Sequence, residues 1–515
     1  MRHCLSYSLL YFVIVVLCMS CGDDSFQRIH SLEDVQEWVR PELSLEEESM
    51  RQTIRHEAAT QPIHMYADRY ARTYYQAATP LVWITRMGIN PEADTLLTWV
   101  GQAETLGMDG SVFHADTIRT LLMQIRQQDF SATNINRLTG RLEFLLTRAL
   151  LRYACGQRYG FVLPRPLLNH LLLDEPPREG KPTVFRRIYD LHSDEPTDSF
   201  VHHAIEEVRH HRLSSFLQEI QPTDTLYRLM QAEYLRAQTA GDTARARLAR
   251  INLERARWRY PHPTGGKYVF VNLAEQALMA VDTERDTMLT MRICCGNASH
   301  KTPLLHSEIR WGELNPYWVI PQSIVSKEIM PRHVGDSAYY ARNNYHAVDK
   351  MTREIIDPSQ LSAAQLRSGQ YTLRQEKGAG NSLGRIIFRF PNSFSVYLHD
   401  TNNRSAFQYA NRAISHGCVR VERPLDLALF LLESPTDFFV DRIRMAIDLP
   451  PLSPTGIRYQ ATHPDAKPLS RFDFPTPIPV WLDYWTLYPT PEGTLASHSD
   501  KYGYDQAIEK VLNTY

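Results

Sequence analysis

Two segments organise this 515-residue chain, Tyr397–Asp400 (YLHD) and Ser415–Arg420 (SHGCVR). The first contains His399, and the second contains Cys418, nineteen positions further on. The residues between the segments are mostly polar, so we expect them to form a surface loop. Such a loop brings the two segments together, and the pattern indicates a cysteine nucleophile with a histidine partner.

The flanks of the two segments predict the local fold. Phe394–Leu398 has the composition of a β-strand. Pro424–Leu432 reads as a mostly apolar helix with proline near its first turn. We therefore expect His399 and Cys418 to lie at the mouths of two strands, with a helix after the second strand.

The residue types in these segments suit acyl transfer through sulfur. A thiol attacks a carbonyl carbon only as the thiolate, so Cys418 needs a base nearby. His399 can act as that base and can later protonate a leaving amine. Gly417 lets the backbone approach a substrate, and the peptide N–H groups beside the thiol can stabilise a developing oxyanion. If the strand continues to Arg420, its guanidinium lies on the same face as the thiol and can hold a carboxylate.

Two simpler interpretations remain open at this point. A lone cysteine is commonly a small buried hydrophobe, and a histidine beside a strand commonly has a structural role. A zinc site is the other alternative, with His399, Asp400, His416 and Cys418 as ligands. Structural zinc sites usually show tighter ligand spacing than these four residues have, so we expect no metal here.

The two segments resemble the active-site signature of the L,D-transpeptidase (YkuD-domain) family, in which a histidine and a Gly-Cys-x-Arg segment form the catalytic pair. Three further stretches resemble the scaffold-bearing subgroup of this family: 141–160, 249–282 and 302–331. The resemblance covers most of residues 110–490. It assigns the catalytic histidine to His399 rather than His416, and the nucleophile to Cys418.

The resemblance implies a peptidoglycan L,D-transpeptidase, an acyltransferase that forms 3→3 cross-links between stem peptides. Cys418 would attack the carbonyl of the third residue of a donor tetrapeptide, and the terminal D-Ala would leave with a proton from His399. The side-chain amine of another stem would then attack the thioester. Carbapenems are the implied covalent inhibitors. No cofactor is expected, because exchange between amides needs neither redox chemistry nor nucleotide energy.

Supporting roles follow from the same resemblance. The backbone carbonyl of Asp400 would orient the His399 ring, and the N–H groups of Gly417 and Cys418 would form the oxyanion site. Tyr397 would be a further donor, and Arg420 would hold stem-peptide charge or brace the strand. The candidate supporting residues are Tyr397, Asp400, Ser415, His416, Gly417 and Arg420.

Two rival functions remain open. A hydrolase of the L,D-carboxypeptidase or endopeptidase type on the same fold would use water in place of the amine. A non-catalytic, wall-associated scaffold protein would keep the Cys–His pair without using it. The products formed from a tetrapeptide-bearing muropeptide, together with adduct formation by a carbapenem, separate these functions.

The composition excludes some classes of protein. The chain is 43% apolar and 22% charged, which is typical of globular domains. Its length allows about two to four domains. The net charge of −2 provides no overall positive field, so nucleic acid is not an expected partner.

Residues 1–20 are typical of an export signal. Arg2 provides the positive start, and Leu9–Leu17 is apolar but too short to span a bilayer, for which about twenty residues are needed. Cys21 stands where a bacterial lipoprotein signal has its lipidated residue, although Cys18 replaces the usual leucine three positions earlier. An ordinary cleaved signal peptide is the alternative. We expect an exported protein of the cell envelope or periplasm, attached to a membrane through a lipid on Cys21.

The pattern of the whole chain predicts an α+β protein. Apolar residues at helical spacing, such as Leu142, Leu145 and Leu146, indicate a helical scaffold domain. From Lys267 to Cys294 the pattern changes to a β-meander, and we expect a mainly β, sandwich-like catalytic domain. The expected divisions are a lipoprotein-type signal peptide over 1–20, a tether over 21–50, the scaffold domain over 51–258, the catalytic domain over 262–448 with a capping insertion over 331–377, and a C-terminal extension over 449–515.

The other cysteines do not suggest a disulfide framework. Cys294 and Cys295 are adjacent, and neighbouring side chains on a strand point to opposite faces. We therefore expect these two and Cys155 to be buried apolar residues, and Cys418 to be the reactive thiol.

Overall fold

A computed structural model describes residues 45–77, 79–130, 133–173, 182–260 and 265–514. Contacts between Cα atoms divide the chain into two compact units. The first contains the described residues up to Cys155 together with Pro196–Gln221. The second contains Gly156–Glu195 and Pro222–Thr514. The predicted signal peptide, most of the predicted tether and the lipidation residue Cys21 lie outside the described residues.

The described chain before residue 261 is mostly helical, as the spacing of its apolar residues predicts. In chain order these helices are α1 (Glu47–Thr60), α2 (Tyr66–Gln76), α3 (Glu92–Val100), α4 (Ala115–Arg126), α5 (Ile135–Tyr159), α6 (Pro164–Asn169), α7 (Asp198–Arg209), α8 (Leu213–Glu219), α9 (Thr225–Thr239) and α10 (Thr243–Ala256). Within α5, Leu142, Leu145 and Leu146 are buried, so the predicted apolar stripe is confirmed.

Buried ionic groups stabilise the first unit. Oδ1 of Asp68 lies 2.9 Å from Nε of Arg148 and 2.6 Å from Nε of Arg152. Burial alone would raise the pKa of the Asp68 carboxyl, but hydrogen bonds and charge from the two arginines lower it well below its usual range. A second buried carboxylate, Glu143, accepts the backbone N–H groups of residues 82–84. Removing either carboxylate would leave buried donors without partners.

The later part of the chain contains most of the described β-strands. In chain order the strands are β1 (Ile84–Thr85), β2 (Gly88–Ile89), β3 (Tyr189–Asp190), β4 (Lys267–Asn272), β5 (Ala277–Asp282), β6 (Thr287–Gly296), β7 (Leu304–Leu314), β8 (Trp318–Val319), β9 (Tyr345–Asp349), β10 (Ile355–Ile356), β11 (Tyr371–Gln375), β12 (Ile386–Arg389), β13 (Leu398–His399), β14 (Ala413–Ser415), β15 (Val419–Val421), β16 (Arg471–Asp483), β17 (Leu487–Pro489) and β18 (Leu495–Ser497). The helices after residue 265 are α11 (Gln322–Ile324), α12 (Met330–His333), α13 (Ser337–Arg342), α14 (Ala363–Arg367), α15 (Pro424–Leu431), α16 (Asp437–Ala446), α17 (Pro454–Thr462) and α18 (Tyr504–Leu512).

The main sheet of the second unit closes on itself. Its order is β12-β13-β15-β6-β5-β4-β16-β7, and β7 pairs with β12 to complete the ring. Strands β4, β5 and β6 are the meander that the sequence predicts. The sandwich-like packing expected from the sequence is wrong in one respect, because a single closed sheet replaces two separate sheets. Its core is formed by fully buried side chains such as Val271, Leu278 and Ile293.

Strand β16 comes from the region predicted as a C-terminal extension. It pairs in parallel with β4 on one side and antiparallel with β7 on the other. Pro475 and Pro477 fall between Asp473 and Ile478, where the register with β7 shifts. Proline has no backbone N–H to donate, so such an irregularity is where a strand tolerates it. Residues 471–483 therefore belong to the same sheet as the strands within 262–448.

A smaller sheet lies between β7 and β12 in the sequence. Its strand order is β10-β9-β11-β8, and it has its own apolar core, which includes Tyr340, Ala347 and Leu373. We call residues 318–375 the insertion subdomain. It begins earlier than the capping insertion predicted over 331–377, because β8 pairs with β11 at its far end.

The strand predicted over Phe394–Leu398 is shorter in the structure and consists of β13 alone. Asn392 provides the reason. Its Oδ1 accepts the N–H groups of Phe394 at 3.0 Å and Val396 at 3.2 Å, which makes a local turn in place of a ladder. The helix predicted after the second segment is confirmed as α15.

The described helices and cysteines add two findings. None of the helices in the described ranges is both long and apolar enough to cross a bilayer. Cys155, Cys294 and Cys295 are buried, as predicted, whereas Cys418 is partly exposed.

Candidate active site

A cavity of about 510 Å³ lies between the closed sheet and the insertion subdomain. The sheet side contributes His399, Cys418 and Arg420 to its lining, and the insertion subdomain contributes Glu328 and Tyr345. The two segments singled out in the sequence therefore meet at one cavity.

The pairing of β13 with β15 explains why these side chains share one face. In this parallel pair Leu398 is opposite Val419, and His399 is opposite Arg420. Leu398 and Val419 are fully buried in the core. Successive side chains of a strand alternate between its faces, so His399, Arg420 and the neighbouring Cys418 lie on the opposite face, toward the cavity.

The His399 ring is buried and held by the backbone. Its Nδ1 atom lies 2.5 Å from the carbonyl oxygen of Asp400, a contact that was expected from the sequence. A carbonyl oxygen only accepts, so Nδ1 carries the proton and Nε2 keeps its lone pair. The pKa of His399 is lowered to about 4, first by burial and then by the positive charge of Arg420, while the carbonyl groups of Asp400 and Leu383 act in the opposite direction. At neutral pH the ring is therefore uncharged and can accept a proton at Nε2.

The Asp400 carboxylate supports the backbone around His399. Its Oδ2 accepts the N–H of Arg385 at 2.9 Å, and its Oδ1 accepts from Nη1 of Arg404 at 2.9 Å. Gly384 packs directly against it, because a Cβ atom at Gly384 would lie 2.4 Å from Cγ of Asp400. These contacts fix the position of the carbonyl group that orients the imidazole.

The Cys418 thiol is a neutral group at rest. Its Sγ lies 3.9 Å from the carbonyl oxygen of Ser395. Burial raises the pKa of the thiol, and this effect is partly opposed by the N–H of Tyr397 and by the charges of Arg389 and Arg420. Among the described residues no hydrogen bond joins Sγ to the His399 ring, so proton transfer requires rotation of the thiol or a bridging water.

Side-chain hydrogen bonds fix the turn that precedes the thiol. Oγ of Ser415 donates to the carbonyl oxygen of Cys418 at 2.5 Å and accepts the N–H of Gly417 at 3.1 Å. Oγ1 of Thr302 donates to the carbonyl oxygen of Gly417 at 2.8 Å. Gly417 has φ +120°, a conformation that favours glycine. The Gly417 N–H, which the sequence suggests as an oxyanion donor, is thus bonded to Ser415 in this structure.

Arg420 presents a cation to the cavity. Its Nε atom is buried and has no hydrogen-bond partner among the described residues. The guanidinium also forms no ion pair with any carboxylate in the described chain. A guanidinium in this setting can bind a ligand carboxylate through two parallel hydrogen bonds.

Tyr397 lies away from the cavity lining. The guanidinium carbon of Arg389 lies 4.3 Å from the centre of its ring, and Nη2 of Arg389 is 2.9 Å from Oε2 of Glu313. Sequence reasoning expected Tyr397 as a donor to the substrate and did not identify Arg389. Arg389 is linked to the site by its position at the end of β12, two strands from the thiol. This position is known only once the fold is known, so the sequence alone did not point to Arg389.

His416 contacts the insertion subdomain. Its Nε2 lies 2.7 Å from Oε1 of Glu328, and its ring centre lies 5.1 Å from that of His300. The sequence placed His416 among the supporting residues but provided no signal for Glu328 or His300, because their contacts join distant parts of the chain.

The four residues considered as zinc ligands are used differently. The Asp400 carboxylate accepts from Arg385 and Arg404, and His416 pairs with Glu328. Within the described ranges, no group of three or more His, Cys, Asp or Glu side chains is arranged to hold a metal ion.

Comparison with known proteins gives two domain matches. Residues 266–440, which include His399 and Cys418, match the L,D-transpeptidase catalytic domain called YkuD. Residues 68–233 match the domain called Scaffold. A protein of Haemophilus influenzae named "Putative L,D-transpeptidase" is 26% identical over 370 residues, which is 71% of this chain and 70% of that protein.

Proposed function

Because the chain belongs to the scaffold-bearing group of the L,D-transpeptidase (YkuD) family, we propose that it is a peptidoglycan L,D-transpeptidase that forms 3→3 cross-links between stem peptides. Cys418 is the proposed nucleophile, and His399 is the proposed proton acceptor and donor. The proposal is supported above all by one observation: both side chains lie on one face of the β13–β15 pair and line one cavity.

In the proposed acylation step, Nε2 of His399 takes the proton of the Cys418 thiol as the sulfur attacks the carbonyl carbon of the third residue of a donor stem. The new C–S bond gives a tetrahedral oxyanion, for which the N–H of Cys418 is a suitable donor. The C–N bond to the terminal D-Ala then breaks, and His399 returns its proton to the leaving amine. A thioester between the donor stem and Cys418 remains.

In the proposed transfer step, the side-chain amine of an acceptor stem attacks the thioester carbon. The C–N bond forms, the C–S bond breaks, and a proton from the amine passes through His399 to the sulfur. Arg420, at the cavity wall, is proposed to hold a carboxylate of the donor stem, which would fix the carbonyl carbon relative to the thiol.

Intact mass spectrometry with a carbapenem tests the nucleophile. A carbapenem carries an activated amide, so attack by Cys418 would leave a covalent adduct on the described fold. We expect one adduct on the wild type and none on Cys418→Ala. An undiminished adduct on Cys418→Ala, or no adduct on the wild type, would remove the mechanism.

Products from a tetrapeptide-bearing disaccharide separate the transferase from its rivals. A transferase yields cross-linked dimer and free D-Ala, whereas a hydrolase yields only the tripeptide and D-Ala. A non-catalytic scaffold protein yields none of these. We expect dimer that disappears in Cys418→Ala.

We further propose that the protein is exported and held in the cell envelope by a lipid on Cys21. The support is the basic and apolar segment before Cys21 in the sequence. Labelling cells with a fatty-acid analogue tests this directly. The wild type should carry the label and sediment with membranes, and Cys21→Ala should lose the label; label retained on Cys21→Ala would contradict the proposal.

A further inference from the structure

The insertion subdomain presents one carboxylate to the cavity. Glu328 is the only Asp or Glu among the residues that line this cavity in the described structure. Its Oε1 lies 2.7 Å from Nε2 of His416, and the two side chains are 46% and 41% exposed. A pair as open as this contributes little to stability, because water screens the two charges. Stability alone therefore gives little reason for a carboxylate at this position.

Glu328 is held on a fixed element. It lies on the π-helical turn Val325–Ile329, which connects α11 with α12. Val325 and Ile329 are both buried in the core of the insertion subdomain, so the turn is anchored on either side of Glu328. π-Helical turns occur frequently at functional sites, and a side chain on such an element is positioned more sharply than one on a loop.

Several titratable groups surround the Glu328 carboxylate. The pKa of His300 is lowered by burial and then by the neighbouring His416. The pKa of Tyr345 is raised by burial first, and the Glu328 charge contributes to that rise. Lys327 precedes Glu328 and also lines the cavity. The cavity lining thus contains Arg420 on the sheet side, and Lys327 and Glu328 on the insertion subdomain.

We infer that Glu328 binds the protonated amine of the acyl acceptor, and that Glu328 and His416 form the acceptor end of the cavity. The inference rests on the proposed acyl-enzyme chemistry. A primary side-chain amine is protonated at neutral pH, and an ammonium group has three donors and no acceptor. His416 uses Oε1 of Glu328, so Oε2 is the oxygen that receives the ammonium in a charge-assisted hydrogen bond.

Each of the three protons of the ammonium group has a destination in this arrangement. One proton passes to the Glu328–His416 pair and then to solvent, which the exposure of both side chains allows. The neutral nitrogen then attacks the thioester carbon, forming the C–N bond and breaking the C–S bond. A second proton passes from nitrogen through His399 to the sulfur of Cys418, and the third stays on the new amide.

This subsite does little to favour water as the competing nucleophile. It carries no positive charge, so Glu328 does not favour its binding as it favours an ammonium group. Glu328 is therefore the residue that directs the thioester toward cross-linking and away from hydrolysis, and it acts after the thioester has formed.

The partition of one acyl-enzyme between two products tests the inference. Wild type, Glu328→Gln and Glu328→Asp are incubated with a disaccharide tetrapeptide as donor and a disaccharide tripeptide as acceptor, and the ratio of dimer to hydrolysed tripeptide is measured against acceptor concentration. Loss of the charge in Glu328→Gln should lower that ratio by about tenfold or more, through a higher acceptor concentration at half-maximal transfer. Glu328→Asp keeps the charge and should recover part of the ratio.

Carbapenem acylation of the same variants distinguishes acceptor binding by Glu328 from a purely structural role, in which its contact with His416 only holds the insertion subdomain in place. Acylation needs no acceptor, so its rate in Glu328→Gln should stay within about twofold of the wild type. Glu354→Gln is the matched control, because Glu354 is an exposed carboxylate of the insertion subdomain outside the cavity lining; its ratio and rate should match the wild type. An unchanged ratio in Glu328→Gln, or an equal loss of acylation and transfer, would overturn the inference. Absence of any wild-type adduct would instead overturn the proposed function on which the inference rests.

Discussion

The Nδ1 atom of His399 donates to the carbonyl oxygen of Asp400 across 2.5 Å, which assigns the proton of the neutral ring to Nδ1 and leaves Nε2 as its basic atom. The ring is buried, and its surroundings favour the uncharged form over the imidazolium. The proposed catalytic pair is therefore a neutral thiol and a neutral imidazole rather than an ion pair, and this difference can be measured.

The rate of acylation should fall to half its maximum near pH 4 rather than near pH 6.5. We call this acidic part of the pH–rate profile the acid limb. The pKa of His399 is lowered to about 4, so the ring stays neutral and able to accept a proton until the pH falls to that value. Below it the ring is protonated, and the rate should fall about tenfold per pH unit. Second-order rates of carbapenem adduct formation between pH 3.5 and 8, with circular dichroism to confirm folding at each pH, check this. A half-maximal rate near pH 6.5 would show that the ring is not held in its neutral form.

Removing the Arg420 charge should move that acid limb upward. The Arg420 cation lowers the pKa of His399 in addition to burial, so Arg420→Met should bring the half-maximal rate to a higher pH. Arg420→Lys keeps a positive charge and should shift the limb less, although it loses the paired donors that suit a carboxylate. The concentration of tetrapeptide donor at half-maximal rate should rise in both variants. A limb that stays in place in Arg420→Met would mean that the charge does not act on the ring.

Gly417→Ala should reduce acylation while leaving the fold intact. The nearest atom to an added Cβ is Cγ1 of Val396 at 3.7 Å, so there is room for the methyl group, but φ is +120°. Backbone strain of this kind is worth about 1–3 kcal/mol, and relief of it would move the turn that carries the thiol. Carbapenem adduct rate and thermal midpoint are the measurements. Gly493→Ala, at another positive-φ glycine with open space around it, should lower the midpoint without changing the rate.

Asp68→Asn should destabilise the first unit by about 3–5 kcal/mol, because it leaves the buried guanidinium groups of Arg148 and Arg152 without their carboxylate. The pKa of Asp68 is depressed in the folded state, so its contribution is present above the usual carboxyl pKa and is lost as the pH falls below about 4. Urea unfolding of wild type and variant at pH 7 and at lower pH should show the difference shrinking on acidification. Asp116→Asn, at a side chain that is 96% exposed and paired with Arg119, should change stability by less than about 0.5 kcal/mol. A large effect at Asp116 or a pH-independent effect at Asp68 would contradict this account.

Local patterns predicted part of this fold and of its site. The alternation from Lys267 to Cys294 predicted three strands, and helical spacing predicted α5, because both patterns report burial on one face. His399 and Cys418 could be predicted as a catalytic pair because the two short segments that contain them resemble the family signature, and the structure places both residues at one cavity. The contact between His399 and the Asp400 carbonyl, which the resemblance implied, is present in the structure.

Features that depend on distant partners could not be read in the same way. Strand β16 contains Pro475, Pro477 and Pro479, and proline normally argues against a central strand. The Glu328–His416 contact exists only because the insertion subdomain lies over the thiol. The turn around Asn392 was missed for a different, local reason: its side-chain oxygen accepts two nearby backbone N–H groups, so a turn forms in place of the predicted strand.

Strand β7 pairs with β3 from the early part of the second unit and with β16 from its late part. The ring can close only after Asp483 has been synthesised, so a nascent or truncated chain ending before Arg471 leaves β4 and β7 with open edges. An unfinished polypeptide therefore lacks the closed sheet that supports the thiol. Its open strand edges are available for aggregation or for proteolytic degradation. Strand β16, the last strand of the closed sheet to be synthesised, thus decides whether the site that contains Cys418 can form.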